Sequence, residues 1–129
     1  MSGTPDPRRR LGQLGEQLAT SHLEARGLRV IERNFRTRYG ELDVIAADER
    51  HLVFCEVKTR MVHGDPGPLG PFASIGGRKR RQVRLMARMW LAMRPNRAER
   101  PAELRFDAIG VSVDRTGRLV ALEHLEGAF

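Results

Sequence analysis

A chain of 129 residues, 40% apolar and 30% charged, has the size and texture of one globular domain with a single core. No apolar run reaches the roughly 18 residues a membrane span needs, and no apolar stretch follows the charged N-terminus, so neither an integral membrane protein nor a secretory signal is expected and a cytoplasmic location is. The single cysteine, Cys55, rules out an internal disulfide and a cysteine-built zinc site, whereas a formal charge of +7 favours a polyanionic partner.

Residues 1–7, polar and with two prolines, read as a disordered tail, which leaves 8–129 as one domain. From Arg8 to Arg26 the pattern is helical, with Leu11, Leu14 and Leu18 as its apolar stripe and Gly27 as its C-cap. Gly12, Glu16, Ala19 and Leu23 stand on another face. Gly12 and Gly15 weaken the first turns, which predicts close packing against a neighbouring backbone. Residues 28–35 form a strand candidate. The β-rich runs 42–47 and 52–59, separated by Asp48-Glu49-Arg50-His51, predict an antiparallel hairpin. A Gly/Pro-rich loop fills 61–75.

A second helix is predicted over 77–93, with Lys79, Val83, Met86, Trp90 and Met93 on one face and Arg81, Arg84 and Arg88 on another. Pro95 and Pro101 bracket a linker. Strands 104–113 and 118–125 close the chain around the turn Asp114-Arg115-Thr116-Gly117. The order α-β-β-β-α-β-β predicts an α/β or α+β domain with a mixed sheet.

The hairpin is where chemistry concentrates. Side chains alternate along a strand, so Glu56 and Lys58 share one face of the second arm, and Asp43 lies with Glu41 and Ile45 on the first. A four-residue loop pairs 47 with 52 and sets Asp43 directly opposite Glu56; a two-residue loop leaves them diagonal on the same face; only a three-residue loop separates them. Two adjacent carboxylates repel unless a cation lies between them. Mg²⁺ or Mn²⁺ would suit such oxygen ligands, with phosphate oxygens and waters completing the shell and Lys58 stabilising charge beside it. Exposed strand charges are the commoner meaning of a Glu and a Lys, but Leu52, Phe54 and their alternate neighbours make this strand apolar on both faces, so Glu56 emerges from a buried neighbourhood.

Lysine usage singles out the same word. Of the chain's basic residues 21 are arginine, and only Lys58 and Lys79 are lysine. A compact ammonium and a planar guanidinium are not interchangeable in a tight site.

Asp43 followed by Glu56-x-Lys58 on the partner arm resembles the Asp…Glu-x-Lys signature of restriction-endonuclease-like nucleases. More specifically the chain is similar to the YraN family, related to Holliday-junction resolvases. The likeness runs through Gly12-x-x-Gly15-Glu16-x-x-Ala19, Arg33-Asn34-Phe35-Arg36, Gly40-Glu41-Leu42-Asp43-Val44-Ile45-Ala46, Leu52 to Arg60, Lys79, Arg105-Phe106-Asp107 and the closing Ala128-Phe129. It implies an α-β-β-β-α-β core with a mixed central sheet flanked by helices, and a metal-dependent endonuclease acting on DNA.

On that likeness Asp43 and Glu56 resemble the metal ligands, Lys58 the catalytic lysine and Glu16 a helix acid that approaches the same site. Nucleic acid, DNA foremost, is the implied partner, with no membrane and with a homodimer as an admissible assembly. Arg8–Arg10, Arg36, Arg38, Arg60, Arg78, Lys79, Arg80, Arg81, Gln82 and Arg84 would grip phosphates without reading sequence. Asp107 beside Arg105 reads as a structural ion pair, Trp90 as core, Tyr39 as a stacking aromatic, and the four histidines show no ligand spacing. Cys55 replaces the usual aliphatic residue, a small change because a buried thiol packs as a hydrophobe. The rival readings are a binding module of the same fold without turnover, acting on DNA or RNA, and a basic assembly protein with an acidic protein partner.

Overall fold

The computed structural model describes residues 6–64, 77–94 and 103–129. In chain order they form α1 (Pro7–Ala25), β1 (Arg29–Thr37), β2 (Gly40–Ala47), β3 (His51–Met61), α2 (Gly77–Ala92), β4 (Glu103–Val113) and β5 (Leu119–Leu125). Most of the tail, the Gly/Pro loop beyond Gly64 and the Pro95–Pro101 linker lie outside the described residues.

The strands make one five-stranded sheet in the order β1-β2-β3-β4-β5. Successive neighbours are antiparallel except β3 and β4, which run parallel because the chain returns between them through α2. The sheet is therefore mixed, as the element order implied.

Each helix covers one face. Ala19 and Leu23 of α1 pack with Val44, Ala46, Val53, Cys55, Ile109, Val111 and Val113. Val83, Met86, Ala87 and Trp90 of α2 pack with Ile45, Ala47, Leu52 and Phe54 on the other side. Alternation along β3 feeds both cores, so Leu52 to Cys55 are buried in succession. This is a three-layer domain whose middle strand carries the Glu56-x-Lys58 word.

α1 opens at Pro7, inside the stretch that reads as tail, because the Asp6 carboxylate caps it by accepting the Arg8 N–H at 3.0 Å. Its deeply buried line is Gly15–Ala19–Leu23, and the expected stripe of Leu11, Leu14 and Leu18 is only partly buried. Small residues let the helix approach the sheet, and the leucines then splay to its sides. Gly15 is the required glycine: a Cβ there would overlap the Thr59 side chain on β3. Gly12 meets nothing within 4 Å and Gly15 meets the Thr59 side chain rather than a backbone, so a close approach is found at one glycine only and its partner is not the one expected.

On α2 the expected face is buried from Val83 to Trp90, and the Trp90 indole N–H donates to Glu32 at 2.9 Å. Met93 does not belong to it: the helix ends at Ala92, and Met93 is 67% exposed.

Candidate active site

β2 and β3 pair from Ala47↔Leu52 to Val44↔Cys55, the register of a four-residue connection. Asp48 closes that connection by accepting N–H groups from Arg50 and His51 at 2.8 and 2.6 Å. One residue beyond Val44↔Cys55, Asp43 and Glu56 face one another, and there Asp43 Oδ2 accepts the Val57 N–H at 2.7 Å. A side chain has taken a donor that would otherwise serve the ladder. The strict alternation of β2 also breaks here, because Leu42 joins the α2 core alongside Ile45. The carboxylates thus stand where the strands part.

Asp43 is buried and 8% exposed. Burial, followed by the hydrogen bond to and the charge of Glu56, pushes its carboxyl up to about 9, against a smaller opposing effect of the Val57 N–H. At neutral pH Asp43 therefore carries a proton and shares it with Glu56. The Glu56 carboxylate also forms an ion pair with the Lys79 ammonium from α2.

Glu16, one residue after the glycine that lets α1 approach, acts on Asp43 through its charge. Burial raises its carboxyl, Glu41 adds to the shift, and Arg33, Arg36 and a hydrogen bond from Asn34 oppose it. Glu16 Oε1 is buried without a hydrogen-bond partner among the described residues. Its negative charge in turn helps to raise Asp43.

Asn34, to which the sequence pattern assigns no role, holds Glu16 and sits at φ 55°. A left-handed residue inside β1 turns the chain so that Phe35 enters the α2 core. The signal for it is an asparagine in mid-strand, a poor strand former that tolerates this conformation.

Lys58 is exposed, beside Gly110 of β4, and makes no ion pair or hydrogen bond with any described residue. Among the described residues no three His, Cys, Asp or Glu side chains gather into a ready-made metal cage. The donors on hand are the crowded pair Asp43 and Glu56. Such a set fits an ion that takes one or two carboxylates and keeps its other positions for water and phosphate.

The basic residues divide. Arg36 pairs with Glu41 at 2.6 Å, and Arg38 donates to the Tyr39 hydroxyl at 2.6 Å with its guanidinium 4.9 Å from the ring centre. Arg60 donates to Ser112 at 2.9 Å. Arg84 donates to the Phe129 carbonyl at 3.2 Å and lies over the Phe106 ring. Arg81 is exposed, and the Arg78 side chain lies outside the described residues.

Gln82 does not stand free for phosphate. Its amide donates to the Tyr39 carbonyl at 2.8 Å and packs against Gly40 where a Cβ would stand, pinning the β1–β2 turn to α2. Thr37 adds to the pin through Met86 Sδ at 3.2 Å. The pin holds the half-exposed Tyr39 beside α2, whereas Arg36, alternating with the Phe35 of the α2 core, pairs with Glu41 and acts on Glu16 of α1.

Asp107 is the structural ion pair expected. Although burial pushes its carboxyl up, hydrogen bonds from His124, Arg105 and the Gly127 N–H hold it below the ordinary value. His124 meets Asp107 at 2.7 Å and His22 at 3.1 Å, a chain joining α1 to β4 and β5. No spacing could reveal that pair, since 102 residues separate the two histidines.

The layers, the mixed sheet and the acids at a strand parting with a lysine two residues on define a restriction-endonuclease-like core. The uncharacterised protein family UPF0102 matches residues 15–111. A UPF0102 protein of Parafrankia sp. is 45% identical over 93% of this chain and 96% of its own. That of Mycolicibacterium vanbaalenii is 43% identical over 98% of each chain, and that of Mycobacterium tuberculosis is 48% identical over 91% and 90%. The chain belongs to the UPF0102, or YraN, family. No described helix is long and apolar enough to cross a membrane.

Proposed function

We propose that this protein is a nucleic-acid-binding endonuclease that hydrolyses DNA phosphodiesters with a divalent ion, Mg²⁺ or Mn²⁺, held by Asp43 and Glu56. One observation carries the reading: Asp43 and Glu56 stand side by side where the strands part, with burial and then Glu56 raising the Asp43 carboxyl, so beyond the single Lys79 ammonium the pair has room for further positive charge. The negative charge of Glu16 adds to that crowding of Asp43. When bound, the ion would supply Lewis-acid polarisation of the scissile phosphodiester.

The chain's own residues do the rest. Lys58, exposed and uncommitted among the described residues, places an ammonium where negative charge grows on the phosphate. Arg36 and Arg38 on the β1–β2 turn, with Arg81 and Arg84 on α2, hold the backbone; Lys79 and Gln82 lie between these groups, and Arg60 extends the basic surface past Lys58. Such contacts position a duplex without reading bases. A cytoplasmic location goes with that substrate, and a homodimer would present two such sites.

The second reading, a binding module without turnover, draws on the Lys79–Glu56 ion pair, which already neutralises one carboxylate. A cleavage screen over duplex, single-stranded, flap and four-way-junction DNA with Mn²⁺ separates the two. Product that disappears in Asp43→Asn supports the nuclease. Salt-sensitive binding that ignores Mn²⁺ and gives no product on any substrate supports the module.

A further inference from the structure

We infer that Lys79 is a tethered counter-ion: it occupies the Glu56 carboxylate in the metal-free protein, a divalent ion displaces it, and it thereby sets how tightly that ion binds. The inference rests on the metal reading above and deepens it.

The two ends of the pair differ in depth. The Glu56 side chain on β3 is 14% exposed, whereas Lys79 on α2 is 45% exposed and reaches in from outside. Lys79 is the cation that the described ion pairs place on this carboxylate. Arg33 and Arg36 act on Glu16, Arg36 is bound to Glu41, and Lys58 makes no ion pair among the described residues.

The Lys79 ammonium rests on Glu56 Oε1, and a divalent ion arriving at the same carboxylate repels it, which favours departure of the ammonium. α2 cannot leave with it. Val83, Met86, Ala87 and Trp90 bury the helix against the sheet, and Gln82 ties it to Tyr39. The flexible four-carbon stem can leave, swinging the ammonium into solvent at small cost because its end is already half outside. An arginine would hold the carboxylate through a planar fork and release it less readily, which gives a reason for one of two lysines to stand here in a chain with 21 arginines.

The test exploits that count. Full-length protein labelled at lysine Cε and Nζ has only two lysines, Lys58 and Lys79, to follow by NMR during a MgCl₂ titration. The Lys79 signal should shift and its ammonium should reorient faster as Mg²⁺ occupancy rises. By calorimetry Lys79→Met should bind Mg²⁺ roughly tenfold more tightly than wild type, the scale of one unit charge ~6 Å from a divalent ion in a water-like medium. Lys79→Gln provides the same comparison if the Met variant folds poorly. Arg118→Gln, the same charge change on the exposed β4–β5 turn, should alter affinity less than about twofold.

A Lys79 signal that stays fixed at saturating Mg²⁺, or a Lys79 variant that binds no more tightly than wild type, overturns the inference. If wild type binds Mg²⁺, Asp43→Asn does not, and the Lys79 variants bind no more tightly, this inference falls alone. If neither wild type nor the Lys79 variants bind Mg²⁺, the metal reading falls with it.

Discussion

Asp43→Asn should make the metal-free protein more stable, although it removes a residue of the proposed site. In the folded chain the Asp43 carboxyl titrates near 9, against an ordinary value of 3.8. Between those values the folded state holds a proton that the unfolded chain has released. Folding then takes up a proton, and this contribution to stability declines as pH rises through the window, at about 1.4 kcal/mol per pH unit. At pH 7, about three units above the ordinary value, the accumulated loss has a ceiling of about 4 kcal/mol. Asparagine is a shape mimic of the protonated acid. Its carbonyl can keep the Val57 N–H and its amide can donate to Glu56, but it has no proton to take up.

Urea unfolding of both proteins in chelator from pH 5 to pH 8 measures the difference directly. The gap should widen with pH in favour of the variant, and adding Mg²⁺ should stabilise wild type while leaving Asp43→Asn unmoved. A variant less stable than wild type at pH 8, with a gap that does not change with pH, would mean that Asp43 is ionised in the native state, and the reasoning would fail.

The two glycines of α1 should respond oppositely to alanine. Gly15→Ala should lose about 1–3 kcal/mol by forcing a Cβ into the Thr59 side chain, and Gly12→Ala should gain about 0.5–1 kcal/mol of helix stability, both read from thermal unfolding. Burial, followed by the charges of His124 and Arg26, lowers the His22 value below 6.5, so its contribution is fully present above pH 6.5 and is lost as pH falls through the folded-state value. His22→Gln should flatten that acid-side decline in a series of melts from pH 7.5 to pH 5. Replacing Arg81, Arg84 and Arg88 together with Gln should weaken DNA binding and flatten its salt dependence by up to ~0.9 log unit per log salt for each phosphate that the variant no longer neutralises. An unchanged slope in filter binding would mean that this face of α2 does not meet DNA.

How much of this can be read in the chain follows from which interactions are local. The register that sets Asp43 against Glu56 belongs to one hairpin: four polar residues connect two β-rich runs, and Ala47↔Leu52 is the pairing such a connection dictates. Burial of β3 on both faces is legible for the same reason, since Leu52 to Cys55 leave no polar side to turn outward. The α1 face is misread from sequence because hydrophobicity ranks leucine above glycine and alanine, whereas burial depth depends on how near the helix axis can come to the sheet. Gly15 over Thr59 decides that distance; the glycines flag a close approach, but which of the two makes it is not encoded in α1 alone.

The charges at the site divide along the same line. Asp43 and Glu56 come from the hairpin, Glu16 from the helix on one face, and Lys79 from the helix on the other. Composition marks Lys79 as unusual and periodicity places it near a helix start, but its partner depends on how the β3–α2–β4 crossover lays α2 over the parting strands. Until both helices dock, the hairpin holds two carboxylates side by side without the ammonium that offsets one of them. The local order of the hairpin and the charge balance of the site are therefore separate achievements of the fold, and only the first is written in consecutive residues.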